Sequence, residues 1–241
     1  MKLKLVSRDP GKSLRDFCGL RIWQKPKEGS VYAIGVDVAE GVGGDASCIS
    51  VLDCRTGMHV ASYWSNLIDT DNFAVEVYKL GNWYNRAFVC IESNNHGHSV
   101  ISNLTGVVGG LAYPNLYKRI KYDEFTQKRS KVIGFDSRQN TKPFLIENLK
   151  SALKMGDLIT QDRYTIQELG NFVRDVKTGR LGAKGNAHDD RVMSLALAWE
   201  QARLIREGEK TTLDSNVPSM RFDPHTGFPL GDSYQEPESF F

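Results

Sequence analysis

Three β-rich runs, "VYAIGVDV" (31–38), "SCISVLDC" (47–54) and "MHVASYW" (58–64), follow one another with only short breaks. A Gly-rich turn separates the first two, and Arg55, Thr56 and Gly57 separate the second pair. Breaks that short leave no room for a crossover helix, so they indicate an antiparallel meander of three strands. This spacing limits the possible folds more than any other feature of the chain.

Downstream the period changes. "TDNFAVEVYKLGNWYN" places Phe73, Val77, Leu80 and Tyr84 at helical spacing, with Thr70 and Asp71 as caps. "AFVCIES" (87–93) reads as a fourth strand, and "NNHGHSVISNLTGVVGG" as a loop feeding a helix. A short strand is expected around Tyr113–Tyr117, a helix from about Lys142 to Lys154, a strand-like "DLIT" and a further helix near 162–174. The last strong element is a helix from Asp189 to about Arg206. The expected fold class is therefore α/β. Its mixed sheet has five or more strands, three antiparallel and then parallel ones, flanked by helices.

With 241 residues, 40% of them apolar and a quarter charged, the chain has the make-up of a soluble globular protein with a sizeable core. Residues 31–207 form the expected domain. Residues 1–30, ending "QKPKEGS", read as a lead-in segment, and 208–241 as a Pro-, Ser- and Gly-rich tail without its own core. No run approaches the ~18 apolar residues of a membrane span, and "MKLKLVSRDP" lacks the apolar centre of a signal peptide. The expected location is the cytoplasm, with no membrane partner. Cys18, Cys48, Cys54 and Cys90 form no CxxC pair and read as reduced thiols rather than a zinc or disulfide framework.

Carboxylates interrupt this apolar pattern at two strand ends. Side chains alternate across a strand, so Tyr32, Ile34, Val36 and Val38 share one face while Ala33, Gly35 and Asp37 share the other. In the fourth strand Phe88, Cys90 and Glu92 share a face, with Glu92 again at the C-terminal end. If the two strands are parallel neighbours, both acids emerge at one sheet edge. A third acidic site, Asp189 and Asp190, opens the last helix; there capping and dipole effects are the ordinary explanation. Asp37 and Glu92 have no such explanation, because a buried lone carboxylate is costly unless paired, protonated or bound to metal. Divalent cations reconcile several converging acids: Mg2+ favours oxygen ligands, and two ions about 4 Å apart can activate a water and stabilise a leaving oxygen in phosphodiester hydrolysis.

"GVDVAEGVGGDAS", "CIESNNHG" and "GNAHDDRVMSLALAW" resemble, in order, the three acidic motifs of the nuclease domain of tailed-bacteriophage large terminase subunits. The resemblance covers roughly residues 31–205. It implies an RNase H-like fold and Mg2+- or Mn2+-dependent cleavage of double-stranded concatemeric DNA, with two ions. Asp37, Glu92 and Asp190 match the family's metal-binding acids. Asp190 is favoured over Asp189 because related sequences often read HGDR, although helical spacing alone leaves both open. Asp45 matches a second acid of the first motif, with a structural turn role as the alternative. His188 is a candidate for orienting a carboxylate or water from outside the ligand set.

The same resemblance implies a packaging ATPase domain, a portal and a small terminase subunit as partners, and host cytoplasm as the location. "VSRDPGKS" ends like a phosphate-binding loop, but Val6 stands where the pattern needs a small residue. The expectation is an isolated nuclease domain, with residues 1–30 derived from the connection to the motor and the tail a candidate for portal docking.

"YKRIKYDEFTQKRSK" (117–131) concentrates Lys118, Arg119, Lys121, Lys128, Arg129 and Lys131, interleaved with aromatic residues. Such a hairpin suits phosphate contact, with a solvated basic loop as the alternative. Arg180 and Lys184, on the Gly-rich approach to the acidic helix, are further DNA candidates. His96 and His98 read as loop histidines rather than ligands. Two other functions fit less well: an actin- or sugar-kinase-like ATPase, which needs more Gly-rich phosphate loops, and a non-catalytic DNA-binding packaging module.

Overall fold

The structure, a computed structural model, describes residues 15–17, 19–39, 45–107, 110–123, 127–137, 141–174, 181–185 and 187–213. The expected meander is present as β3 (Tyr32–Asp37), β4 (Ser47–Asp53) and β5 (His59–Ser65), paired antiparallel in that sequence. Helix α1 (Thr70–Trp83) then crosses back to β6 (Phe88–Ile91), which lies parallel to β3. A two-stranded addition, β1 (Arg15–Phe17) and β2 (Leu20–Ile22), joins the opposite edge through β2 and β5. The sheet order is β1-β2-β5-β4-β3-β6. Part of the segment read as lead-in is thus sheet.

Both faces of the sheet are covered. On one, α1 and α2 (Asn95–Leu104) bring Phe73, Val77, Val100 and Leu104 onto Ile34, Val36, Ile49 and Val51. On the other, α3 (Thr141–Met155) and α5 (Asp190–Leu213) bring Leu145, Leu149, Leu195 and Trp199 onto Ala33, Leu52 and Cys90. Each fully buried aliphatic or aromatic side chain stabilises the fold by about 1.5–3 kcal/mol. Central strands covered on both faces read as continuous apolar runs. That is why a carboxylate within one stands out.

Gly35 determines how closely α5 approaches. A Cβ on Gly35 would lie 2.0 Å from the Ser194 carbonyl oxygen and 2.3 Å from the Ala198 nitrogen, so only a residue without one lets the helix backbone rest on β3. Ser194 hydrogen-bonds across to Ser50 at 2.9 Å, and Ser50 is the register partner of Gly35. Asp190 lies one helical turn before Ser194, about 6 Å along α5, and Asp37 two residues after Gly35, about 6.6 Å along β3. The close crossing therefore brings the start of α5 to the exit of β3.

Several details differ from the sequence reading. The α1 cap is Asp69, whose carboxylate accepts the Asp71 and Asn72 N–H groups, rather than Thr70 or Asp71. The strand expected over 113–117 shrinks to one bridge, Leu116 to Val89, because the next groups on that side are taken elsewhere: the Ala87 N–H donates to the Gly81 carbonyl, and the Ala87 carbonyl accepts the Tyr113 hydroxyl. "DLIT" likewise contributes one bridge, Ile159 to Met58. The basic stretch forms a hairpin of β7 (Lys118–Asp123) and β8 (Lys128–Ile133). The helix read over 162–174 is α4 (Arg163–Asn171), after which β9 (Phe172–Arg174) pairs with β10 (Leu181–Ala183). Gly170 weakens the helix there, and Phe172 and Val173 suit a strand. Helix α5 continues past Arg206 to Leu213. Cys48, Cys54 and Cys90 are buried and form no disulfide; Cys18 lies outside the described residues. No helix among the described residues is long and apolar enough to cross a membrane.

Candidate metal centre

Asp37 and Glu92 meet because the parallel ladder continues one residue beyond β6. The Glu92 N–H donates to the Val36 carbonyl at 2.9 Å, which sets Glu92 beside Asp37. Both side chains point to the α5 face, and their carboxyl groups share a hydrogen bond. Asp37 is 8% exposed, as is Asp190 at the head of α5. Burial pushes the Asp37 carboxyl well above the ordinary carboxylate range, and Glu92, Asp190 and Asp189 push it further the same way. Burial also raises Asp190; the Ala46 N–H opposes that shift, and Asp45 and Asp189 add to it.

Each acid is aimed by neighbours. The Glu92 carboxylate accepts from the Ser137 hydroxyl and, at 3.3 Å, from the Asn94 amide. Ser137 is delivered by the segment after β8, where Phe135 bridges Glu92 and its carbonyl accepts the Ser93 N–H at 2.7 Å. Asn94 also donates to the Val38 carbonyl at 3.0 Å and caps α2 by accepting the Gly97 N–H at 2.7 Å. One amide thus ties together β3, β6 and α2. Gly97 is required there, since a Cβ would lie 1.8 Å from the Glu92 carbonyl oxygen. Asp190 Oδ2 accepts the Ala46 N–H at 3.0 Å. Asp189 turns to Lys142 at the start of α3, with Nζ 3.1 Å from Oδ2.

Asp45 and His188 form the outer rim. His188 Nδ1 lies 3.4 Å from Asp45 and 3.9 Å from Asp190, and both rim side chains are more than half exposed. Asp45, His188 and Asp190 can present three ligand atoms within 4.8 Å of one another. The converging donors are mainly carboxylate oxygens, which suit Mg2+ and Mn2+; the imidazole suits the softer divalent ions as well. A buried carboxyl surrounded by further acids fits a cation chemically, since a cation would offset the repulsion and desolvation that now raise Asp37.

The structure therefore brings Asp37, Glu92, Asp190, Asp189, Asp45 and His188 to one end of the sheet. Ser137, Lys142 and Asn94 were missed. Asn94 carried a signal, as an Asn three residues before Gly97 at a helix start; Ser137 and Lys142 carried none, being aimed by tertiary contacts.

The basic hairpin is two-sided. By register, Lys118, Arg129 and Lys131 share one face, and Arg119, Lys121 and Lys128 the other. Arg119 pairs with Asp136 at 3.2 Å, whereas the five remaining residues are exposed. Lys184 is exposed beyond β10, and Arg180 lies outside the described residues. His96 and His98 lie in the first turn of α2.

Residues 34–201 match the family model of the terminase RNaseH-like domain. The large terminase subunit of Thermus virus P23-45 is 29% identical over 194 residues, 78% of this chain and 35% of that protein. The large terminase subunit of Thermus phage G20c matches to the same extent, so the chain spans about a third of the length of these curated relatives. Among solved structures, the chain resembles the large terminase nuclease of thermophilic phage G20c with bound magnesium, at a TM-score of 0.64 and 24% identity over 78% of this chain and 90% of that one. It also resembles the Thermus phage P74-26 large terminase nuclease domain, at a TM-score of 0.58 and 24% identity over 76% and 85%. The G20c nuclease is similar in its cobalt-bound form too. The mixed sheet flanked by helices is the RNase H-like fold that the sequence led us to expect.

Proposed function

The chain belongs to the terminase RNaseH-like domain family, and on that premise we propose that it is a Mg2+- or Mn2+-dependent endonuclease that cuts concatemeric double-stranded viral DNA during genome packaging. The observation that carries this reading is the Asp37 carboxyl, buried at the end of β3 against Glu92 and close enough to Asp190 to be raised by its charge. Relatives with bound magnesium and cobalt support divalent-metal dependence.

Asp37, Glu92 and Asp190 are the proposed direct ligands, for two ions. Asp190 is preferred to Asp189 because it is the more buried, while the Asp189 carboxylate is taken up by Lys142. Bound divalent ions supply Lewis-acid stabilisation of the charge that develops on phosphodiester oxygens. The chain's own groups do the rest. Ser137 and Asn94 orient Glu92, the Ala46 N–H orients Asp190, and Asp45 with His188 forms a polar rim. Exposed hairpin residues and Lys184 are the proposed phosphate contacts, which position a duplex without reading its sequence. A packaging ATPase domain, a portal and a small terminase subunit are the proposed partners in the host cytoplasm.

Supercoiled plasmid incubated with the protein and Mn2+ tests this. Nicked and linear products that vanish with chelator are expected. ATP turnover without cleavage, or binding without cleavage, sinks the nuclease reading.

A further inference from the structure

The head of α5 is gripped by residues with no place in the ligand set. The first N–H groups of a helix have no partner within it and need an outside acceptor. Asp189 and Asp190 stand where a cap is expected, yet their carboxylates go to Lys142 and to the Ala46 N–H. Glu168, from α4, does the capping instead. Its Oε2 accepts the Arg191 N–H at 2.9 Å, and its Oε1 lies 3.1 Å from the Arg191 Nε, so one carboxylate holds both the backbone and the side chain of the residue after Asp190.

Arg191 is 7% exposed. Its guanidinium lies against the rings of Trp64 and Tyr164, 5.3 Å from each centroid, with Nη1 3.6 Å from Asp162 Oδ2. Asp162 is fixed in turn: it caps α4 by accepting the Tyr164 N–H, accepts the Ser62 and Thr165 hydroxyls, and lies 3.6 Å from Arg21 of β2. Two acids and two guanidinium groups thus meet beneath the start of α5. Buried ion pairs are weak sources of stability compared with apolar packing, whereas their geometry restricts orientation. A two-point grip on Arg191 fixes the rotation of the first turn, and hence the direction of the Asp190 carboxylate.

We propose that Glu168, acting through Arg191, is the positioning residue for Asp190: it caps and orients the first turn of α5 so that the acid faces Asp37 and Glu92. This rests on the metal-centre reading above. It frees both aspartates at the helix start from the capping that their position suggests.

The test is Mn2+ affinity by isothermal titration calorimetry on the full chain, with melting temperatures recorded alongside. Glu168→Ala is expected to weaken Mn2+ binding about ten- to a hundredfold, the usual range for residues that orient metal ligands. Glu168→Gln keeps an acceptor for the N–H but loses its charge against Arg191, and is expected to lose less; it also carries the test if the alanine variant does not fold. Leu104→Ala, in the core on the opposite face of the sheet, controls for lost stability and is expected to leave Mn2+ affinity unchanged. Glu168 variants that bind Mn2+ as tightly as the unaltered chain, or that lose no more affinity than Leu104→Ala, overturn the positioning role alone. An unaltered chain that takes up no Mn2+ overturns the metal centre and this proposal together.

Discussion

Asp37 sits where local energetics favour almost any neutral side chain. It closes an apolar strand, is nearly excluded from water, and faces other acids. Asp37→Asn keeps the shape and a hydrogen bond to Glu92 while removing the charge. In chelator, this variant is therefore expected to melt higher than the unaltered protein, by about 2–4 °C for each kcal/mol of strain relieved in a domain of this size. With Mn2+ the order should reverse, because the variant loses the metal-dependent rise in melting temperature together with plasmid cleavage. Scanning calorimetry in both conditions checks this. A variant that melts lower in chelator and still responds to Mn2+ contradicts the role given to Asp37. Asp37 and Glu92 were legible because a carboxylate at the end of a strand breaks an otherwise continuous apolar run. The different surroundings of Asp189 and Asp190 were not, since adjacent residues share every local signal and only Lys142 and Ala46, distant in the chain, tell them apart.

Elements were recovered where periodicity was strong and blurred where it was short. The meander, α1, β6, α3 and most of α5 follow from runs long enough to show a period. The two single-residue bridges at Leu116 and Ile159, and the β1–β2 addition, depend on partners supplied by other strands. The β7–β8 hairpin carries the prediction at this scale. Its exposed cations divide between two faces, so a duplex laid against one face engages Lys118, Arg129 and Lys131, or else Lys121 and Lys128. Replacing these two sets separately by Ala is expected to weaken DNA binding unequally. The stronger set should reduce the slope of log K against log salt by about 0.9 for each phosphate that is no longer neutralised. Fluorescence anisotropy across a salt series measures this, and slopes unchanged in both variants remove the hairpin from the DNA interface. Arg119 is left out of both sets because Asp136 already holds it.

For the molecule as a whole, the buried acids link folding to pH and to metal. The carboxyls of Asp37 and Asp190 are raised in the folded state, and Glu168 is raised to about 7, chiefly by burial. In the interval between their unfolded and folded values the native state holds more protons than the unfolded chain, so stability falls as pH rises through it. His59 works the other way: burial lowers it from 6.5 to about 4, so its contribution is lost as pH falls below 6.5. Above pH 6.5 that opposing effect is gone, while Glu168, raised to about 7, still titrates. In chelator, the melting temperature is therefore expected to decline from pH 6.5 towards about pH 8, and Mn2+, which favours the ionised acids, should raise it increasingly over the same range. A melting temperature independent of pH and of Mn2+ across that interval rejects the linkage. By itself, the sequence determined the meander, the apolar faces and the strand-end position of two acids, because alternation and helical periodicity are local properties of neighbouring residues. Only the tertiary structure decided that β6 lies parallel against β3, that Gly35 admits α5 at backbone contact, and that Ser137, Lys142 and Glu168 aim the acids. Those outcomes depend on close packing between segments far apart in the chain, which no local pattern encodes.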